Sequence, residues 1–516
     1  MRNLKLLLII AAVTNAISWI ILIPVGQYPD EQSHFGQVQN NAEFGKYQVI
    51  GKNNTSYEID FLEKTLHTNR DELSNNAYIY HTEFNVQYSN TLEGIKEEKF
   101  NNLPIISRTT LVKWEATQNP PLYYYFGSKM YKLFYNSNIF TRIYAARMFS
   151  VILFILLIIA SYKISTVVFK EEKILQIALP SLLAFMPMLV FASTGVLPDP
   201  LTNLLFCLII YASVKIIEGG FSPKNILLLT LALILGFYTR QQFLISIPII
   251  IMAFFLRCFL GKNYKAMILL TVALFSLGLF FKSINFFVPE IGKSKYFSII
   301  NMQFLYYLKS TLIHWAKETL PWYWGVYRWL SLTVPHIYYQ IINRLIALAL
   351  FGIGIKLFHI LKKRRLEKND WYLIFCICAS MIYAAAFAVG DYIFIKQYGY
   401  SFGIQGRYFF PLVSAHISIL LVGYWVVSKL IFKKYAKFTI CLLVFLMILF
   451  NDLSLAHVAT SYYSTESISE FILQASQYKP TLIKGSIILY ILILNITLQA
   501  IFSFYLTKKT LKNEFP

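Results

Sequence analysis

Charge is scarce in this chain. Of 516 residues only 14% are Asp, Glu, Lys or Arg, whereas 57% are hydrophobic and 17% aromatic. Mean hydropathy is +0.53. That balance excludes an ordinary soluble globular domain. Cysteine is scarce too. The five, Cys207, Cys258, Cys376, Cys378 and Cys441, lie in or beside apolar runs, and none forms a C-x-x-C pair. Neither a disulfide scaffold nor a thiolate metal site is expected. Glycine-rich phosphate loops are missing: there is no G-x-x-x-x-G-K-[ST] and no G-x-G-x-x-G, which argues against a soluble nucleotide-binding domain.

What the chain has instead is long apolar runs. They fall at about 4–25, 143–168, 174–196, 200–217, 225–239, 242–260, 266–287, 337–360, 371–393, 409–432, 437–457 and 482–507, where about 20 residues suffice to cross a bilayer. The pattern predicts an all-α polytopic membrane protein with about 12 transmembrane helices, counted against the same spanning length. The whole chain reads as one transmembrane domain. Arg2 and Lys5 before the first run resemble a signal peptide, but no small-x-small site follows, so an uncleaved first span is expected.

The net charge is +21. Residues 26–120 carry 13 acids against 8 Lys and Arg, a net −5, so the remainder carries +26. The basic residues cluster in short loops: Lys170 and Lys173, Lys215 and Lys224, Arg257 to Lys265, "KKRRLEK" at 362–368, Lys433 to Lys437, and Lys508 to Lys512. All of these loops fall on one side of the expected spans, as the positive-inside rule requires, which places both termini in the cytoplasm. Orientation explains the charge, and no nucleic-acid partner is implied. Two segments are then external: 26–142, a long loop holding interfacial helices, and the aromatic segment 288–336. "PPLYYYFGSKMYKLFY" at 120–135 carries Lys129 and Lys132 and reads as an amphipathic helix in the interface.

Chemistry-bearing residues gather at the external ends of spans. "YPDEQSHFGQV" at 28–38 sets Asp30 and Glu31 directly after the first run. One explanation is a helix start, with Asp30 as cap and Glu31 on the positive helix end. The other is a partly desolvated carboxylate acting as general base or metal ligand. Asp30 and His34, four apart, would share a helix face. A divalent cation on Asp30, Glu31 and His34 is therefore a candidate cofactor, on a small mixed donor set.

Arg407 in "GIQGRYFFPL", Arg240 in "YTRQQF" and Lys396 are cations on the external side, against the orientation trend. Snorkelling, or for Arg407 a partner at Asp391, would explain them structurally. A phosphate clamp is the functional alternative. Asp199 in "GVLPDP" reads first as a turn aspartate. Residues 314–330 hold four of the eight Trp, including Trp322 and Trp324, and read as an interfacial belt or as a stacking surface for a sugar or prenyl chain.

"PDE..HF" (Pro29, Asp30, Glu31, His34, Phe35), "PPLYY" (Pro120 to Tyr124) and "QGRYF.PL" (Gln405 to Phe409, Pro411, Leu412), in this order, resemble the GT-C superfamily of integral membrane glycosyltransferases. Within it the chain is most similar to a bacterial family of predicted membrane proteins of unknown function. Protein O-mannosyltransferases and lipid A aminoarabinose transferases are more distant. The resemblance implies transfer of a sugar from a polyprenyl-phosphate donor to a glycan, lipid or protein acceptor at the extracytoplasmic face of the cell membrane. It implies Asp30 as the catalytic carboxylate, with Glu31 assisting. Arg407, Arg240, Lys129 and Lys396 are then candidates for the donor phosphate. His34, Tyr123, Tyr124, Asp199, Tyr408, Trp322 and Trp324 are candidates for substrate contact. Where relatives carry a His or charged residue before the double proline, this chain has Gln118 and Asn119. Competing functions are a transporter or flippase of lipid-linked sugars, and a polysaccharide polymerase or ligase.

Overall fold

Local signals start the helices. Asn138 accepts the Thr141 amide at 3.0 Å and opens the 30-residue helix Ile139–Val168. Ser222 accepts the Asn225 amide ahead of Pro223, which fits the first helical position, and opens Pro223–Phe237. Ser56 does the same for Tyr57–Leu66. The structure is a computed structural model that describes residues 2–45, 51–68, 88–90, 97–265, 267–268, 271–272, 302–328, 330–363 and 366–512. Nearly all of the expected span 266–287 lies outside the described residues, as do 288–301 and Trp329 of the aromatic segment and much of 69–96.

The protein is a polytopic, all-α membrane protein. Among the described residues, eight helices are long and apolar enough to cross a membrane, nine if one bent pair forms a single span. Two differences from the expected twelve have physical reasons. Gly406–Tyr462 is one apolar stretch of 57 residues, but it folds back at Lys433–Tyr435. Thr439 donates to the Ser428 hydroxyl at 2.7 Å, whereas 11 residues of straight helix would set them about 16 Å apart. The 409–432 and 437–457 runs are thus two helices, Val413–Phe432 and Ala436–Tyr462. The 225–239 run forms a helix of only 15 residues, Pro223–Phe237, about 22 Å long and short of the roughly 30 Å hydrocarbon core.

The bent pair is Lys173–Ala184 and Pro187–Thr194, at 56°. Pro187 lacks the amide that would continue the helix. The Ala184 carbonyl left at the break accepts from the Asn15 side chain at 3.1 Å, which keeps a backbone group satisfied where water is excluded. Ile139–Val168 packs on Asp199–Gly219, Arg2–Leu22 on Ile487–Leu511, and His336–Lys363 on Val413–Phe432. The last pair approaches closely because Gly352 and Gly423 face each other's helix: a Cβ on Gly352 would stand 2.0 Å from the Gly423 carbonyl oxygen.

Between the first two long helices the described chain covers one end of the bundle. Glu31–Phe44 packs on Leu122–Leu133, and Thr55–Ser56 pairs antiparallel with Leu111–Lys113. Leu122–Leu133 buries Tyr123, Tyr124 and Tyr131 on one side and exposes Tyr125, Phe126 and Leu133 on the other.

Candidate functional site

Four segments meet at that covered end: the turn after Arg2–Leu22, the loop before Leu122, the link at 238–245 and the loop before Val413. Between them lies a polar cleft of about 550 Å³. Asp30, His34, Asn119, Pro120, Arg240 and Arg407 line it, with Tyr408, Phe387 and Phe402 on one side. The three sequence motifs therefore each contribute to one cavity.

Asp30 sits at the start of Glu31–Phe44 with φ 57° and ψ 17°. This left-handed conformation is one that Asp tolerates better than most residues. Its side chain accepts no amide of the first helical turn, so the capping explanation does not account for it. Its carboxylate lies 3.8 Å from the Arg407 guanidinium and is 38% exposed.

Arg407 is 7% exposed. It donates through Nε to Gln405 at 2.8 Å and through Nη1 to Asp199 at 3.0 Å. The other Asp199 oxygen meets Arg240 at 2.6 Å. Asp199, in the first turn of Asp199–Gly219, is therefore the counter-ion that brings two guanidiniums to one place, a role beyond the turn aspartate. Asp391 does not partner Arg407. It accepts from Tyr307, Ser401 and the Phe402 amide at 2.8, 2.7 and 3.0 Å, and so fixes the loop that brings Phe402 to the cleft.

Gly406 explains the "QGR" order. A Cβ there would stand 2.2 Å from the Tyr323 amide nitrogen, so only glycine lets this loop press against the Trp322–Tyr323 backbone and point Arg407 inward. Tyr383 donates to the Tyr408 carbonyl at 3.0 Å and holds the following residue.

His34 meets the Tyr124 hydroxyl through Nδ1 at 2.7 Å and stacks on its ring at 5.9 Å. Burial pushes the Tyr124 phenol well above its ordinary range, so it stays protonated and can donate to His34.

Several expected site residues lie elsewhere. Glu31 is 1% exposed and turned away from the cleft. Arg147 binds it at 2.7 and 2.6 Å, and the Val196 and Gly26 amides donate to it at 3.2 and 2.9 Å. With both oxygens twice engaged, no ligand position remains for a metal or substrate. Among the described residues, no three His, Cys, Asp or Glu side chains are grouped to hold a metal ion. Tyr123 bonds to Ser150 at 2.7 Å, and Tyr123 and Tyr124 are both fully buried behind the cleft. Lys129 is exposed over the Tyr125 ring, 4.8 Å from its centroid. Lys396 is exposed and donates to Gln303 at 2.5 Å. Trp322 packs against the core, and Trp324 lines an apolar cavity beside Phe409 and His416.

Arg147 is the residue that sequence reasoning passed over. All five of its N–H groups are used: two on Glu31, the others on the carbonyls of Ile20, Ile23 and Pro24 at 3.3, 2.9 and 2.8 Å. Its signal was an arginine inside an apolar run, which demands a partner.

Fold and site together define a multi-helix membrane protein in which a polar cleft gathers a carboxylate, a histidine and two guanidiniums at one end of the bundle. Residues 15–415 match the family described as predicted membrane protein DUF2142. The chain belongs to that family. No curated protein matches it. Among solved structures it is similar to the Archaeoglobus fulgidus oligosaccharyltransferase in the apo form (TM-score 0.42, 13% identity, 92% of this chain and 56% of that one). It is also similar to the archaeal oligosaccharyltransferase AglB from the same organism in complex with an inhibitory peptide and a dolichol-phosphate (TM-score 0.46, 12% identity, 89% and 56%). The chain thus spans little more than half the length of either.

Proposed function

We propose that this protein is a GT-C-type membrane glycosyltransferase that moves a sugar from a polyprenyl-phosphate donor to an acceptor hydroxyl. In this reading the cleft faces the extracytoplasmic side of the cell membrane and both termini face the cytoplasm. The observation that carries it is the 3.8 Å approach of Asp30 to Arg407, in a cleft that also holds Arg240 and His34.

The chemistry follows from the charges. The acceptor oxygen attacks the anomeric carbon and its proton passes to the Asp30 carboxylate. The bond from that carbon to the phosphate oxygen breaks, and the electron pair leaves with the prenyl phosphate. Arg407 and Arg240 stabilise that anion, and a guanidinium fork suits phosphate oxygens. Asp199 holds both arginines beside the base, so positioning and fixed charge supply most of the rate. His34, oriented by Tyr124, contacts the sugar or acceptor.

The test is transfer of label from a polyprenyl-phosphate sugar by protein reconstituted in vesicles. Asp30→Asn is expected to abolish transfer without loss of folded protein. Full activity in that variant would remove Asp30 from the reaction. Movement of intact lipid-linked sugar across the bilayer, with no cleavage, would replace the transferase reading by transport.

A further inference from the structure

At the end of the bundle opposite the cleft, five helices leave a cavity of about 280 Å³. Its depth is apolar, with Leu175, Cys376 and Val422. Its rim is charged with both signs: Glu171, Glu172, Lys356 and Lys429 all line it. Lys429 pairs with Glu172 at 2.6 Å and lies 4.7 Å over the Trp425 ring. Lys356 pairs with Asp370 at 2.7 Å. Tyr372 packs into the same wall and is only 1% exposed.

An apolar cavity with a polar rim at the end of membrane helices fits an amphipathic molecule. The rim decides which. An anionic headgroup would be drawn to the lysines but would meet Glu171 and Glu172 as well. A choline headgroup carries no N–H to give those carboxylates. A primary ammonium donates three. We propose that this cavity is a binding seat for a phospholipid with an ethanolamine headgroup. Its phosphate lies toward Lys356 and Lys429. Its ammonium lies toward Glu171 and Glu172, and a chain enters the apolar depth. This site is independent of the sugar-transfer reading.

Trp425 reports on it. The full-length protein is placed in phosphatidylcholine vesicles doped with one brominated-chain lipid at a time, carrying ethanolamine, glycerol or choline. The Trp425 signal is the difference between wild type and Trp425→Phe. Quenching is expected to favour the ethanolamine lipid over choline by about fivefold in apparent affinity, the scale of one ionic contact at a membrane surface. The double substitution E171Q/E172Q should erase that preference. Equal quenching by all three lipids, a glycerol lipid ranked first, or a preference unchanged in E171Q/E172Q would overturn the proposal. Wild-type protein alone gives a second measurement. After delipidation and re-addition of the three lipids in equal amounts, native mass spectrometry should show the ethanolamine lipid retained most, and any other ranking would also overturn it.

Discussion

Arg147 grips Glu31 at two points, 2.7 and 2.6 Å apart, with neither side chain reaching solvent. The pair joins the third turn of Ile139–Val168 to the turn that presents Asp30. Arg147→Met leaves Glu31 buried without a counter-charge and should cost about 3–5 kcal/mol. Melting of the detergent-solubilised protein should show a large fall. The double substitution R147M/E31Q should recover part of it, because two neutral groups are less costly than one isolated charge. Equal losses in single and double variants would mean that the pair is not coupled.

Arg407 serves Gln405, Asp199 and Asp30 at once. Lysine keeps the charge but has no planar fork to reach three partners. Arg407→Lys should therefore reduce kcat/KM for transfer by about a hundredfold, the usual scale for a misplaced or missing electrostatic contact. Near-normal kcat/KM would show that only net charge matters there.

Asp199 occupies the position between Arg240 and Arg407 that an anionic group would otherwise fill. In Asp199→Asn the two guanidiniums face each other without that carboxylate. A short-chain prenyl phosphate should then raise the melting temperature more in the variant than in the wild type. An equal or smaller shift would place the phosphate away from these arginines.

Gly406→Ala tests the loop geometry. The added methyl would stand 2.2 Å from the Tyr323 nitrogen and 2.6 Å from the Trp322 carbonyl carbon. Backbone must move, at about 1–3 kcal/mol. Transfer should fall further than this stability loss explains, since Arg407 is the next residue.

Near neutral pH, the segment after Glu31–Phe44 should show its own pH dependence. Glu63 is buried beside Glu115, and Lys113 contacts Glu63 and also meets Glu115 at 2.7 Å and Asp60 at 3.4 Å. Lys64 also pairs with Asp60, at 2.7 Å. Burial first, then the Glu115 charge, pushes Glu63 up to about 8. The folded state therefore holds a proton that the unfolded state releases near its ordinary value. Stability from this group is full at acid pH and falls as pH rises through about 8. Glu63→Gln should flatten the fall in melting temperature between about pH 5 and 8, the window set by those two values.

The three short motifs were legible because each holds residue types that a membrane surface tolerates only for a reason, and the cleft gathers Asp30, Pro120 and Arg407 from all three. Which of two adjacent acids faces the cleft was not legible. A positive φ at Asp30 sends Asp30 and Glu31 to different environments, and no periodicity encodes that. The tyrosines of "PPLYY" were candidates for substrate contact only through the motif that holds them, whereas Tyr123 and Tyr124 are packed behind the wall. Lys129 and Lys396 shared the arginines' side of the chain without sharing their place, since topology fixes a side and not a distance. Arg147 was hidden by the apolar residues around it, although a single guanidinium in such a run needs its five donors met.

The five bonds of Arg147 also restrict how the first helix can move. Three of them hold carbonyls at its last turn and the exit after it. A piston stroke of even one residue, about 1.5 Å along the axis, would break several together. Whatever enters the cleft must therefore fit against a first helix that does not slide.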